Sequence, residues 1–212
     1  MESRCNFLYD CPDGSDENNC KIVSIEKNRY RKIFPPVGSN GTKADIFVSI
    51  EILSIKNIDE MAMTFTSKLG LSFQWRDQRI TFNNLSPYGN FLRDLRLDQI
   101  WLPPVLFSNT KDFILITGKD YIEVEILRQG PSSLNRASDL NEGKTYGGNE
   151  NDISLTAYHQ HDFDCGYELS HFPFDIQKCS IDIKVADSFG QYITLKPKQF
   201  NFPGKKIDMI YE

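Results

Sequence analysis

Two cysteines, Cys165 and Cys179, frame a thirteen-residue segment, Gly-Tyr-Glu-Leu-Ser-His-Phe-Pro-Phe-Asp-Ile-Gln-Lys. No other feature constrains the fold as much. A disulfide closing a loop of this size stabilises by about 3 kcal/mol on the chain-entropy model, and it persists only in an oxidising compartment. Near the middle of the segment stands Phe172-Pro173-Phe174-Asp175. Proline fixes φ and gives up its backbone donor, so the two phenylalanines flank a stiff apolar tip. A bare pair at this spacing reads as a hairpin disulfide of a secreted domain.

The rest of the chain, from about residue 37, has the period of β-structure. Met61, Met63, Phe65, Leu69, Leu71, Phe73 and Trp75 are apolar, with mostly polar or small residues between them. Alternation of this length predicts a half-buried strand over 61–75. Further strands are expected near 46–55, 113–117, 121–127, 153–159, 180–185 and 192–195. Asn83-Asn84, Pro87, Gly89, Gly118, Gly130-Pro131 and Gly147-Gly148 punctuate them. Many short strands with regular turn signals predict an all-β, immunoglobulin-like sandwich with Greek-key connections. The mixed-charge stretch 21–34 is expected to hold a short helix or linker. The polar, Gly/Asn/Ser-rich run 132–151 reads as one long surface loop.

Composition removes several function classes. At 212 residues, 40% hydrophobic and 12% aromatic, the chain can build a real core. A net charge of −5 with no basic run argues against nucleic acid. No stretch of about 18 apolar residues spans a bilayer, and Met-Glu-Ser-Arg-Cys opens without the apolar region of a signal peptide. Cysteine usage nevertheless points outside the cell, so the chain is expected to be part of something longer. No G-x-S-x-G and no phosphate-binding glycine loop occurs, so no enzyme is expected.

The first twenty residues form a separate expectation. Cys5, Cys11 and Cys20, with Asp13-Gly14-Ser15-Asp16-Glu17 between the last two, resemble the second half of a low-density-lipoprotein receptor class A module. That resemblance implies a Cys5–Cys20 bridge and leaves Cys11 without its partner. It also implies a calcium cage of hard oxygens from Asn6, Asp10, Asp16 and Glu17, with the carbonyls of Ser3 and Leu8. Asn6 stands where an Asp is usual, which removes one charge. The plain alternative is an acidic solvated turn.

Over about residues 30–212 the chain resembles the extracellular domain of the Cys-loop, or pentameric neurotransmitter-gated, ion channels. The resemblance rests on the Cys165–Cys179 loop with its Phe-Pro-Phe-Asp, on Trp75-Arg76-Asp77-Gln78-Arg79, similar to the family's W-x-D-x-R-L strand, and on Trp101-Leu102-Pro103-Pro104, similar to its W-x-P-D segment. Pro104 departs from the usual Asp. Both tryptophans are expected in the core.

The resemblance implies a ligand site at subunit interfaces, usually an aromatic cage for an amine or amino acid. Carried over by position, its first-loop aromatic falls on Ser108 with Phe107 beside it. The complementary-strand aromatic falls on Gly70. Phe189 and Tyr192 follow Cys179 at displaced offsets. The cage is therefore eroded, and core or loop packing is the competing reading for both of those residues. The resemblance also implies a gating-coupling surface made by Asn57-Ile58-Asp59-Glu60 and Phe172-Pro173-Phe174-Asp175. An apolar tip in water gains nothing unless it docks on another body.

His159 and His161, two apart on an expected strand, lie on one face. With Asp162, Asp164 and His171 as the only neighbours in sequence, a two-histidine zinc site is short of ligands, and surface histidines are the expected reading. Asn40-Gly41-Thr42 and Asn84-Leu85-Ser86 are glycosylation sequons.

The sequence thus predicts the ligand-sensing extracellular domain of a pentameric channel subunit at the plasma membrane, working with sibling subunits and a small-molecule ligand. The alternatives are a secreted, pore-less binding protein resembling the soluble acetylcholine-binding proteins, or a plain adhesion module.

Overall fold

The computed structural model describes residues 11–14, 22–26, 28, 30–38, 41–87, 89–92, 99–111, 114–117, 122–132, 144–172 and 174–202. Among them are twelve strands, one short 3₁₀ turn at Asp187–Phe189, and no α-helix. The expected all-β sandwich is what the chain forms.

A six-stranded sheet is the backbone of the sandwich. Its strands are β2 (Ala44–Asp59), β3 (Thr64–Trp75), β5 (Phe91–Leu92), β8 (Ile122–Leu127), β10 (Asp152–Asp164) and β12 (Ile193–Asn201), in the order β12-β2-β3-β10-β8-β5. Two three-stranded sheets accompany it. One orders β1 (Val23–Ile25), β4 (Ile80–Asn83) and β9 (Thr145–Gly147). The other holds β11 (Ile183–Val185), β6 (Val105–Phe107) and β7 (Ile114–Leu115). Period-two alternation turns Leu69, Leu71, Phe73 and Trp75 of β3 into one buried core. Ile46 and Val48 of β2, Ile153 and Leu155 of β10, and Phe82 and Phe107 complete it.

Four expectations need correction. The segment expected to be helical holds β1 instead: Val23 lies opposite Phe82, and Ile25 opposite Ile80, so two apolar residues reach the core by strand alternation. The strand expected from Met61 starts at Thr64. Asp59 Oδ1 accepts the amides of Met61 (3.0 Å) and Ala62 (2.8 Å) and curls the chain into a turn. The expected loop 132–151 contains β9, whose Tyr146 is buried against the core. Finally, β12 runs on past Leu195, because it is an edge strand. It tolerates Pro197 there, with a register irregularity between Pro197 and Gln199.

Trp75 and Trp101 are both buried and meet edge to face, with ring centroids 6.0 Å apart. Beside them Asp77 is fully buried and grips Arg79: Nε donates to Oδ1 at 2.7 Å and Nη2 to Oδ2 at 2.6 Å. Arg79 Nη1 donates to Phe34 O, and its guanidinium lies 4.6 Å from the Tyr30 ring centroid. Tyr30 Oη accepts the amide of Trp101 at 2.5 Å. Burial, and then the Asp77 charge, push the Tyr30 hydroxyl up to about 12. The Trp-x-Asp-x-Arg pattern is thus a structural clamp that ties the segment before β2 to the core.

Candidate functional site

One end of the sandwich carries the disulfide loop. Strand β10 delivers Cys165, which is bonded to Cys179 with their Cα atoms 5.2 Å apart. The Cys165 amide donates to Met63 O at 2.8 Å, and the Tyr167 hydroxyl donates to Thr64 O at 2.9 Å. These bonds fix the loop against the β2–β3 turn. Within the loop, Gln177 bridges both arms: its Oε1 accepts from the Glu168 amide at 3.0 Å, and its Nε2 donates to Glu168 O at 2.8 Å and to the Asp175 carboxylate.

The tip beyond this clamp is apolar and open. Phe174 is 90% exposed and Ile176 89%, with Phe172 also exposed. Across from it Ile58 is exposed and Met61 is 98% exposed. Asn57, Ile58 and Asp59 are the last residues of β2, and the turn proper is Glu60–Met63. A cleft of about 340 Å³ is lined by Asn57, Ile58, Asp59, Glu60 and Met61. Exposed aromatic and aliphatic groups on two tied loops cost hydration free energy with no return inside this chain, so this end suits docking. Pro173 lies outside the described residues.

The residues expected to bind a ligand are not brought together within the chain. Phe107 is fully buried, edge to face with Phe163, His159 and His161. Ser108 is spent on Asp182 O, to which its amide donates at 3.0 Å. Phe189 packs on the core from the 3₁₀ turn, and Tyr192 is half-exposed beside it. Gly70 faces away from the core, since Leu69 and Leu71 point into it.

What sequence reasoning missed lies over Gly70. Tyr158 on β10 and Glu51 on β2 are its cross-strand neighbours. A Cβ at Gly70 would sit 3.3 Å from Tyr158 Cε1 and 3.7 Å from Glu51 Oε2. The missing side chain leaves a groove of about 140 Å³, whose lining includes Ser49, Glu51, Ser72, Thr156 and Tyr158. The Tyr158 ring and the Glu51 carboxylate thus flank the space the missing side chain leaves open. The signal was the odd-even phase of β10, which sets Tyr158 on the outer face.

His159 and His161 sit on the core-facing side of β10, half-buried. His159 Nε2 lies 2.9 Å from Ile116 O. A carbonyl only accepts, so that nitrogen carries the hydrogen and Nδ1 is bare. His161 Nε2 stands 3.3 Å from His159 Nδ1. Burial lowers the pKa of both rings. His159 adds to the depression at His161, and Asp162 opposes it.

Among the described residues no group of three or more His, Cys, Asp or Glu converges on one point. Asn6, Asp10, Asp16 and Glu17 lie outside the described residues, as do Cys5, Cys20 and Asn40. Cys11 is a free thiol. Asn84 is exposed, with φ 51°. No helix among the described residues is long and apolar enough to cross a membrane.

Comparison with known proteins agrees with this architecture. Residues 21–210 match the family described as neurotransmitter-gated ion-channel ligand binding domain. The chain is 30% identical over 181 residues to the gamma-aminobutyric acid receptor subunit beta-4 of Gallus gallus, covering 82% of this chain and 32% of that protein. It is 31% identical over 152 residues to subunit rho-1 of Homo sapiens, covering 69% and 26% respectively. With subunit rho-2 of Mus musculus the identity is 28% over 145 residues, covering 68% and 27%. The chain spans about a third or less of the length of these curated relatives.

Proposed function

This chain belongs to the neurotransmitter-gated ion-channel ligand binding domain family, and on that premise we propose that it senses a small ligand outside the cell and passes the event to a pore-forming domain. Sibling subunits assemble head to tail into a closed ring of five, as cyclic symmetry requires of a single repeated interface. The ligand favours one arrangement of that ring by binding it more tightly.

The observation that carries the reading is the exposed apolar end. Phe172, Phe174 and Ile176 on one loop and Ile58 and Met61 on the other are held together by the Cys165–Met63 hydrogen bond. Strand β10 connects that end directly to the Tyr158 groove, so one stiff element links the two surfaces. The Tyr158 ring and the Glu51 carboxylate, both lining the groove beside Gly70, suit a ligand bearing an ammonium group, with a cation–π contribution of about 0.5–2 kcal/mol. The relatives are receptors for gamma-aminobutyric acid by name, and that molecule carries an ammonium group. It is therefore the first ligand to apply.

The test is expression of the full-length chain in oocytes. Surface cross-linking should give a ladder ending at five subunits, and gamma-aminobutyric acid or a small amine should evoke current. Surface protein that stays monomeric and silent across the panel would contradict the proposal.

A further inference from the structure

We propose that Gln177 is the positioning residue of the phenylalanine tip: its side-chain amide ties Glu168 to Asp175 across the disulfide loop, and this tie sets how strongly the ligand event is passed on. The proposal rests on the functional reading above.

The loop has need of such a tie. Among the described residues between Cys165 and Cys179 none belongs to a strand. Gln177 supplies the equivalent of one rung of a ladder. Its Oε1 accepts the Glu168 amide at 3.0 Å, and its Nε2 donates to the Glu168 carbonyl at 2.8 Å. That is the reciprocal exchange made by two facing residues of an antiparallel pair. Nε2 also donates to the Asp175 carboxylate. Glu168 and Gln177 are nine residues apart, inside the fourteen of the disulfide, so a second, smaller ring closes around the tip. The turns of the tip itself are local: the Phe172 amide donates to Leu169 O at 3.2 Å and the Phe174 amide to His171 O at 2.8 Å.

The tie also sets direction. Along the returning arm Phe174 and Ile176 are exposed, while Asp175 and Gln177 are half-buried. Extended backbone sends successive side chains to opposite sides. Anchoring Gln177 across the loop therefore turns Phe174 and Ile176 outward, onto the face that docks.

The chemistry calls for one acceptor and two donors on one planar group, which a glutamine amide supplies. An ionised glutamate only accepts, so it would face the Glu168 carbonyl and the Asp175 carboxylate with no hydrogen to give. Its protonated form regains one donor. The Asp175 and Glu168 carboxylates would hold that proton above the ordinary glutamate value of about 4.3, and Lys178 and any charge on His171 would oppose them. Methionine matches the length of glutamine and makes neither bond.

The experiment has two arms on the full-length chain. In oocytes, the concentration of gamma-aminobutyric acid giving half-maximal current should rise at least fivefold in Gln177→Met, with the surface cross-linking ladder unchanged. Gln177→Glu should show the same shift at pH 7.4 and lose at least half of it at pH 5.5, each value taken relative to the parent at the same pH. A purely structural lesion would not recover in acid. In the second arm, hydrogen exchange of the purified protein reads the Glu168 amide without any pore, and Gln177→Met should exchange there at least tenfold faster than the parent. Unaltered exchange would overturn the proposal, as would a parental current response in Gln177→Met or a Gln177→Glu shift that acid leaves in place. A parent that gives no current contradicts the functional reading instead, and the exchange arm then decides whether Gln177 holds the tip.

Discussion

The main-chain amide of Cys165 donates to the carbonyl of Met63 over 2.8 Å, so the disulfide loop and the β2–β3 turn form one body. Strand β10 ends at this junction. From Tyr158, β10 runs six further residues toward the loop, and a paired strand in a close-packed sandwich resists bending. One continuous strand thus joins groove and tip.

Removing the covalent link should loosen this end. The Cys165→Ser/Cys179→Ser pair is expected to lose about 3 kcal/mol of stability, from loop closure in the unfolded chain. Urea unfolding followed by tryptophan fluorescence measures it. A midpoint unchanged from the parent would remove the disulfide from the account.

Asp77 is fully buried and paired with Arg79. Asp77→Ala strands a partly buried guanidinium and the Arg79 amide that Oδ1 also accepts. Breaking a buried pair in this way costs about 3–5 kcal/mol, and the lower figure applies because Arg79 retains some solvent. Arg79→Lys should lose a smaller part, since an ammonium cannot make the forked contact. Chemical denaturation of both variants gives the order.

Acid should destabilise the fold through the histidine pair. Both pKa values are lowered below 6.5 by burial. The unfolded chain therefore binds protons first as pH falls, and stability is lost from about pH 6.5 downward. The slope of stability against pH in that window should flatten in His159→Gln/His161→Gln. An unaltered slope would show that the two rings titrate as freely in the fold as out of it.

Alkali acts through a different residue and with the opposite sign. Tyr30 is held neutral up to about 12, against an ordinary value of 10.0. Between those values the unfolded chain has released a proton that the folded one keeps, so stability falls as pH rises from 10 to 12. Tyr30→Phe should remove this component, although it also leaves the Trp101 amide without its partner. Thermal melts across the alkaline range separate the two effects.

Much of this was legible in the residues. Leu69, Leu71, Phe73 and Trp75 announced β3 through their alternation, and Cys165, Phe172 and Phe174 announced the loop. Val23 and Ile25 did not announce β1, because three residues carry too little periodicity to outweigh the charged stretch after them. Tyr146 was hidden for the same reason, a single core ring flanked by glycines, asparagines and charges. The groove depends on cross-strand register: that Tyr158 lies beside Gly70 follows from the pairing of β10 with β3, which no local pattern encodes. Likewise the two histidines could be placed on one face, but the carbonyl of Ile116 that orients His159 comes from 43 residues away.

The central claim is that the phenylalanine tip seats against another part of the receptor. The direct measurement is the rate at which a membrane-impermeant maleimide labels Phe174→Cys in the assembled full-length chain at the cell surface. Lys32→Cys, at an exposed position of the same domain, provides the reference. Phe174 is 90% exposed in the domain by itself, so free access would give comparable rates. Docking predicts labelling at least tenfold slower at 174 than at 32, and equal rates would contradict the account.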